Sequence, residues 1–588
     1  MEELLIPNKS KYDVASFNIL VEGTEVPSTF QLLSLSIQKE ANRIPSATIV
    51  FRDGDASQQK FEISNQDFFI PGKKIQVNIG RDGKNNQAFK GIIIRHGVKV
   101  KGNGHSQLCI ECQDECVKMT IGRHSHYFEK MKDSQVMDEL ISKYKLEADP
   151  QATQLEHKEL VQHHVSDWDF LLLRAEANGM LVLANDGKIT VSKPKIQGEV
   201  LQVNYGSSVL EFEAEMDGRT QFKSVNASSW DYANQSLFEA DATSSPFTEH
   251  GNLSGSDISG KIGPDKYEMH HSGHKLEQEL QDWVDGIMIR SRLSKITGRT
   301  RCIGFSDIKP GDTVKLSGVG ERFNGKAYVT AVRQDMGNGT WETQIQFGLD
   351  PARYALRHTD LDDAASSGLV GAIHGLQIGK VEKLENDPDG QHRILVKIPV
   401  IDNSAQGIWT RVASLDAGAD RGAFFRPEIG DEVIVGFIND DPRDAVVLGM
   451  LHSSNKAAPI SAKDVNHEKG FTTRSKMHIS FNDDTKTIKI DTPAGNHVLL
   501  DEKQKTIEVI DQNNNKIVME PSGIKMESPA KIDIKAGTVL TISAGTSMSI
   551  GAPSVSVKAD TDLSLEGALA KLKASGMAQI NGSMVTIN

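Results

Sequence analysis

Ile532-Asp533-Ile534, Leu540-Thr541-Ile542, Met548-Ser549-Ile550, Val555-Ser556-Val557 and Leu563-Ser564-Leu565 set the pattern of the last fifth of the chain. Ile517/Met519 and Ile524/Met526 lead into it, so the pairs start at 517, 524, 532, 540, 548, 555 and 563, in steps of 7 or 8 residues. Weaker members, Ala570/Leu572, Ala578/Ile580 and Val585/Ile587, carry it to the last residues. Apolar residues at i and i+2 mark a short strand with one face to bury. Gly, Ser, Pro, Asn and Asp between the pairs supply turns. One strand and one turn bury nothing alone, so such units must stack. Two arrangements satisfy this: one chain winding a three-sided β-helix, or three chains intertwining. Either gives a narrow prism with small side chains.

Working outward from this tail, no aromatic residue follows Phe481 and no Arg follows Arg474. A segment without aromatics lacks much of the usual buried area of a globular core. The rest of the chain has ordinary composition. Its 588 residues predict several domains. A net charge of −13 argues against coating nucleic acid, which needs a basic face. No apolar run approaches the roughly 18–20 residues of a membrane span, and Met1–Asp13 lacks the basic and apolar regions of a secretory signal. Four cysteines, Cys109, Cys112, Cys116 and Cys302, are too few for a disulfide scaffold.

Residues 375–455 hold five short apolar or alternating runs, near 378–384, 394–400, 408–412, 433–438 and 446–451. Asn386–Gly390, Asp402-Asn403 and Asp440–Pro442 separate them, and a small five-stranded barrel of the OB kind is expected. Residues 1–360 mix strands with a few helices. Ser166 caps a helix from 167 that Gly179 ends. A second spans about 275–295 with Leu276, Leu280, Trp283, Ile287 and Leu293 on its core stripe. The Ser/Asn/Gly-rich 225–265 reads as a long loop. An echo links Ile70-Pro71-Gly72-Lys73 to Lys309-Pro310-Gly311-Asp312, each followed by an alternating strand and a Phe-x-Gly, at Phe89–Gly91 and Phe323–Gly325. Two related barrel-like subdomains would account for it.

Gly407-Ile-Trp409-Thr-Arg411-Val-Ala413 precedes Pro427-Glu-Ile-Gly430-Asp-Glu432-Val433-Ile-Val435-Gly-Phe437, with Pro442 and Gly449 downstream. With Asn42–Ala47, Asp53-Gly54, Ser166–Phe170 and Arg174–Gly179, this resembles the VgrG-type spikes of contractile injection systems, relatives of the central hub and spike of contractile phage tails. The resemblance runs over nearly the whole chain. It implies a mainly β protein with a few helices: a hub at 1–360, a linker at 361–374, an OB barrel at 375–455, a connector at 456–476 and an intertwined trimeric β-helical needle at 477–588. It implies a homotrimer that joins an Hcp-like inner tube, at the hub, to a puncturing needle among baseplate proteins. Such a spike is assembled in the bacterial cytoplasm and ejected outward through the target membrane. The needle end, Val585, Ile587 and Asn588, is expected to carry a PAAR-type tip protein or an effector. An alternative is a spike-borne envelope hydrolase or a β-helical polysaccharide-binding or -degrading protein. The stretch 452–476 is too short to hold a catalytic domain, whose lower end is about 50 residues.

No constellation of enzymatic or metal chemistry stands out, and no cofactor is expected. Cys109-x2-Cys112-x3-Cys116 with His124 and His126 resembles a zinc set only loosely; on a strand, positions 109 and 112 face opposite ways. His270, His271 and His274 read as a solvated helix start. Gly255-x4-Gly260-Lys261 has Ile262 where a phosphate loop needs Ser or Thr.

Overall fold

The computed structural model describes Pro7 and residues 14–587, apart from 103–105 and Pro246. The chain divides into two compact units at Gly449/Met450, each taken by itself below.

In the first unit, a 13-stranded sheet takes its strands from two stretches of chain. Strands between Ala15 and Gln113 make one half, over a core of Phe51, Phe69, Phe89, Ile49 and Ile79. Strands between Leu201 and Phe347 make the other, over Val314, Val329, Ile345 and Phe347. The halves join where Ser34–Glu40 runs antiparallel to Ala331–Gly337. The expected subdomains are therefore two halves of one sheet rather than separate bodies.

The echo is geometric as well as sequential. Gly72 and Gly311 sit at φ of 98° and 96°, at the position of a type II turn that demands positive φ. Lys73 N–H donates to Ile70 O and Asp312 N–H to Lys309 O, each at 3.2 Å. Gly72 N–H then donates to Ile93 O and Ile93 N–H to Lys73 O; Gly311 N–H donates to Val329 O and Val329 N–H to Asp312 O. The same clasp pins each Pro-Gly turn to the strand after next.

A helical layer lies between the halves in sequence. Ser166 Oγ accepts from Asp169 N–H, and the helix Asp167–Ala177 ends at Asn178 and Gly179, whose φ is +66°. This helix and Asp133–Ser142 share a core with Trp168, Phe170 and Val191. The second expected helix runs Glu277–Ser294, with Leu280, Val284 and Met288 buried.

The stretch 225–265 is not a loop. Ser224–Asp231 pairs antiparallel with Ser236–Ala242 and parallel with Lys266–His271. Its polar residues belong to the strand because they are bonded there: Asn226 Nδ2 donates to Asp241 Oδ1 at 3.1 Å, and Ser228 Oγ meets His270 Nδ1 at 2.8 Å. His270 and His271 are accordingly strand residues, not a helix start. Ala227, Ala240 and Met269 pack against Leu280 and Val284, so small residues let the helix lie close.

His250 is a half-buried histidine whose ring N–H donates to Phe323 O at 3.0 Å. Burial pushes its pKa down to about 4, outweighing the hydrogen bond to Phe323, with Lys295 adding to the depression. The unfolded chain then takes up a proton below about pH 6.5 that the folded chain refuses. Its site keeps full stability above that pH and loses up to about 3 kcal/mol as pH falls towards 4. His250→Gln is expected to shrink the stability difference between pH 7 and pH 4.5, read by urea unfolding at the two pH values. An unchanged difference would refute the assignment.

Five strands close a barrel: Gln377–Lys383, Ile394–Lys397, Ile408–Val412, Glu432–Phe437 and Ala445–Met450. The first pairs with the second and fourth, and the third runs parallel to the fifth. Val381, Ile394, Val396, Val433, Val435 and Val447 fill the interior.

The second unit contains a seven-stranded antiparallel meander from Glu468 to Glu527. It starts inside the stretch read as a connector. Ile517/Met519 and Ile524/Met526 lie on its last two strands, Lys516–Glu520 and Gly523–Glu527. From Ser528 to Ile587 the single chain forms no strand pairs. A strand needs a backbone partner, and units of 7–8 residues that are meant to stack find none within one copy.

Candidate functional site

The meander carries the most distinctive surface of the second unit. Its register aligns one apolar residue per strand: Phe471, Ile479, Ile490, Val498, Val509, Ile517 and Met526 form a continuous cross-strand row. Phe481, Ile488, Leu500, Ile507, Met519 and Ile524 form a second row beside it. Cross-strand partners share a face, so both rows lie on one side of the sheet. That side is open: Ile490 is 48% exposed, Ile507 43% and Met526 54%. The other side is mostly polar and ion-paired, with Leu499, Ile510 and Val518 among its charges. His478 Nδ1 meets Asp491 Oδ2 at 3.2 Å, and Lys516 pairs with Glu527 at 2.8 Å.

Turn chemistry fixes the register. Lys476, Gly495 and Asn514 have positive φ, as do Lys486 and Lys505, and within each set the positions are 19 residues apart. Asp511 Oδ1 accepts from Asn513 and Asn515 N–H, and Asp501 Oδ1 accepts from Gln504 N–H. A groove of about 550 Å³ follows the first row, and Ile532 extends its wall beyond the last strand. A sheet with a whole apolar face in water is unstable alone. Covering each half-exposed side chain is worth roughly 1 kcal/mol.

Apart from Ile532, the residues expected to form the needle core lie beyond this groove. Ile532, Ile534, Leu540, Ile542, Met548, Ile550, Val555, Val557, Leu563 and Leu565 are all at least half exposed in the single chain. At the far end Val585 and Ile587 are exposed, and Asn588 lies outside the described residues. One chain does not bring these side chains together.

The barrel motif is brought together. Val433 and Val435 are wholly buried inside it, and Pro427 is buried at its approach. Gly430, at φ +80°, donates its N–H to Val381 O and turns the chain into the fourth strand. Trp409 is half-buried, whereas Arg411 and Glu432 point outward. Asp441, just before Pro442, accepts from the Arg443 guanidinium and backbone N–H, which hold its carboxyl down to about 2. Gly449 packs against Ile434. These positions build the barrel and its loops; of them only Arg411 lines a cleft, of about 590 Å³, with Asp416, Arg421 and Phe424.

The cysteines are dispersed. Cys112 lies in the core of the first sheet half and Cys116 in that of the helical layer. Burial pushes both thiols up, and that of Cys302 to about 12.

One polar cluster escaped the sequence reading. Asp133, 3% exposed, accepts from Arg174 Nε at 2.6 Å and Nη2 at 2.9 Å, from Asn178 Nδ2 at 2.9 Å, and meets His157 Nε2 at 3.0 Å. Burial alone would raise its pKa; the His157, Arg174 and Asn178 hydrogen bonds outweigh it and hold the carboxyl well below its usual range. The members stand too far apart in sequence for spacing to reveal them. The cluster ties the two helices of this layer to the strand Glu156–Val165.

A mainly β hub with an internal echo, followed by a five-stranded barrel with this motif, defines the class: a spike protein of the VgrG type. Residues 11–338 match the Alg8 N-terminal domain family, over half of the chain, and the chain belongs to that family. Residues 377–452 match the type VI secretion system/phage-baseplate injector OB domain. The type VI secretion system spike protein VgrG3 of Vibrio cholerae is 28% identical over 153 residues, 25% of this chain and 14% of the relative. The spike protein VgrG1b of Pseudomonas aeruginosa is 24% identical over 210 residues, 34% of this chain and 28% of the relative. The chain thus matches well under a third of the length of either. Among solved structures, the 43 kDa tail protein of prophage MuSo2 from Shewanella oneidensis aligns over 57% of this chain and 98% of its own, at 9% identity and a TM-score of 0.44. Among the described residues, no helix is long and apolar enough to cross a membrane.

Proposed function

We propose that this protein is the structural spike of a contractile injection apparatus, and that it works as a homotrimer. The observation that carries this is the pair of apolar rows on the meander. Their register runs from strand to strand without a shift, which suits them to covering by identical rows from two further copies about a threefold axis. Residues 528–587 then take their missing backbone partners from the same two copies and complete an intertwined needle. Such a prism has most of its backbone paired and few open edges, which suits it to axial load.

In this reading the hub meets an Hcp-like inner tube and baseplate proteins. The exposed Val585 and Ile587 present an apolar end layer to a PAAR-type tip protein or effector, which the needle carries through the target envelope. The spike acts mechanically and cleaves no bond.

Native mass spectrometry of the purified chain is expected to give a trimer, and the same material is expected to leave peptidoglycan undigested. A well-folded monomer would overturn the assembly, and release of muropeptides would overturn the non-enzymatic role.

A further inference from the structure

A cavity of about 230 Å³ lies in the hub between the helices Asp167–Ala177 and Glu277–Ser294. Beside it, Gly179, just past the end of the first helix, meets Gly286 in the middle of the second. Gly179 and Gly286 approach so closely that a Cβ on either would stand 2.7 or 2.9 Å from the other's Cα. Leu173, Trp283 and Ile287 line the cavity and are half-buried there.

The charges at the mouth are unequally satisfied. Glu176 accepts from Arg290 at 2.5 Å and from Tyr354 N–H at 3.0 Å. Arg290 spends its other guanidinium nitrogen on Asp350 O and Ala352 O, both at 2.9 Å. Lys275 pairs with Glu279 at 3.4 Å. Arg353 is different: its guanidinium lies 5.9 Å from the Trp283 ring centre, and among the described residues no carboxylate pairs with it. A cation held over an indole at the mouth of an apolar cavity keeps its hydrogen-bond donors for a ligand.

We propose that this cavity binds a small amphipathic carboxylate, with a ring or short alkyl body among Leu173, Trp283 and Ile287 and its acid group on Arg353. Apolar walls with one placed polar group are the usual construction of a small-molecule site. A guanidinium recognises a carboxylate through two parallel N–H donors, which an alcohol does not match. The site needs only the two hub helices and Arg353, so it stands or falls separately from the spike assignment.

The test is calorimetric titration of the full-length protein with 4-phenylbutyrate and, in parallel, with 4-phenyl-1-butanol. A body of this size reaches a Kd of about 1 mM or better. The acid is expected to saturate one site per chain and to bind at least about 5-fold more tightly than the alcohol. Arg353→Gln should bring the acid down to the affinity of the alcohol without changing the alcohol. Leu173→Trp, which fills the cavity, should abolish both. Absence of saturable binding by the acid up to about 10 mM, equal affinities for acid and alcohol, or an Arg353→Gln protein that still prefers the acid would each overturn the proposal.

Discussion

Ile490→Asp is expected to turn the proposed trimer into monomers. Ile490 stands in the middle of the first apolar row, between Ile479 and Val498. In one chain the change is mild, because that face is open and a carboxylate at a position already 48% exposed stays hydrated. In the proposed trimer, symmetry would bring three carboxylates into one layer that has lost its water. Each then bears a desolvation cost of several kcal/mol, and like charges add to it. Association should weaken by several orders of magnitude. Light scattering across a dilution series reads this directly, and circular dichroism should show the hub and barrel still folded. Lys489→Gln, one residue away on the ion-paired face, removes a 3.6 Å contact with Asp491 and should leave the trimer intact. The same contrast is expected between Ile534→Asp and a substitution of Lys535. A trimer that survives Ile490→Asp at micromolar concentration would show that the apolar face is not the interface.

The contrast also shows how much the sequence revealed. The barrel was legible because its strands alternate and its turns are punctuated by Pro, Gly and Asp, so local pattern and tertiary role agree. The Pro71-Gly72 and Pro310-Gly311 echo was legible for the same reason. The meander was placed within the needle from 477, but its apolar pairs were legible only from Ile517 on. Its earlier part repeats over 19 residues, visible as Lys486-Thr487-Ile488 against Lys505-Thr506-Ile507 and Asn496 against Asn515. Two strands of opposite direction make up each such repeat, so a search for one-strand steps of 7–8 residues passes over it. The strand at 224–231 was missed because Ser and Asn normally signal turns. There they are held by cross-strand and helix contacts that no local rule contains. The needle core residues 532–565 are the reverse case. Their pattern is plain, but the single chain supplies no strand partners for it, and the proposed assembly would have to supply them.

The Asp133 cluster was wholly illegible, and it supports the second large expected effect. Asp133→Ala should destabilise the helical layer by about 3–5 kcal/mol, the usual cost of breaking a buried ion pair from one side. Arg174 and His157 keep only 14% and 9% of their side chains exposed, so neither recovers its hydration when the acceptor is gone. Asn178 would keep its bond to Arg174 O and lose only one partner. The helix Asp133–Ser142 would also lose an acid from its first turn, where a negative charge complements the unpaired N–H groups. Trp168, buried in the same core, reports on this layer by fluorescence. Its urea midpoint should fall by on the order of 2 M. Asp133→Asn keeps an acceptor for Arg174 but gives up the charge, and should fall between the two. Replacing His157 by Gln removes one of several donors and should cost only about 1 kcal/mol. If Asp133→Ala unfolds within about 0.5 kcal/mol of the unaltered protein, the cluster is not what ties the helices to the strand, and the apolar contacts of Trp168, Phe170 and Val136 must hold the layer alone.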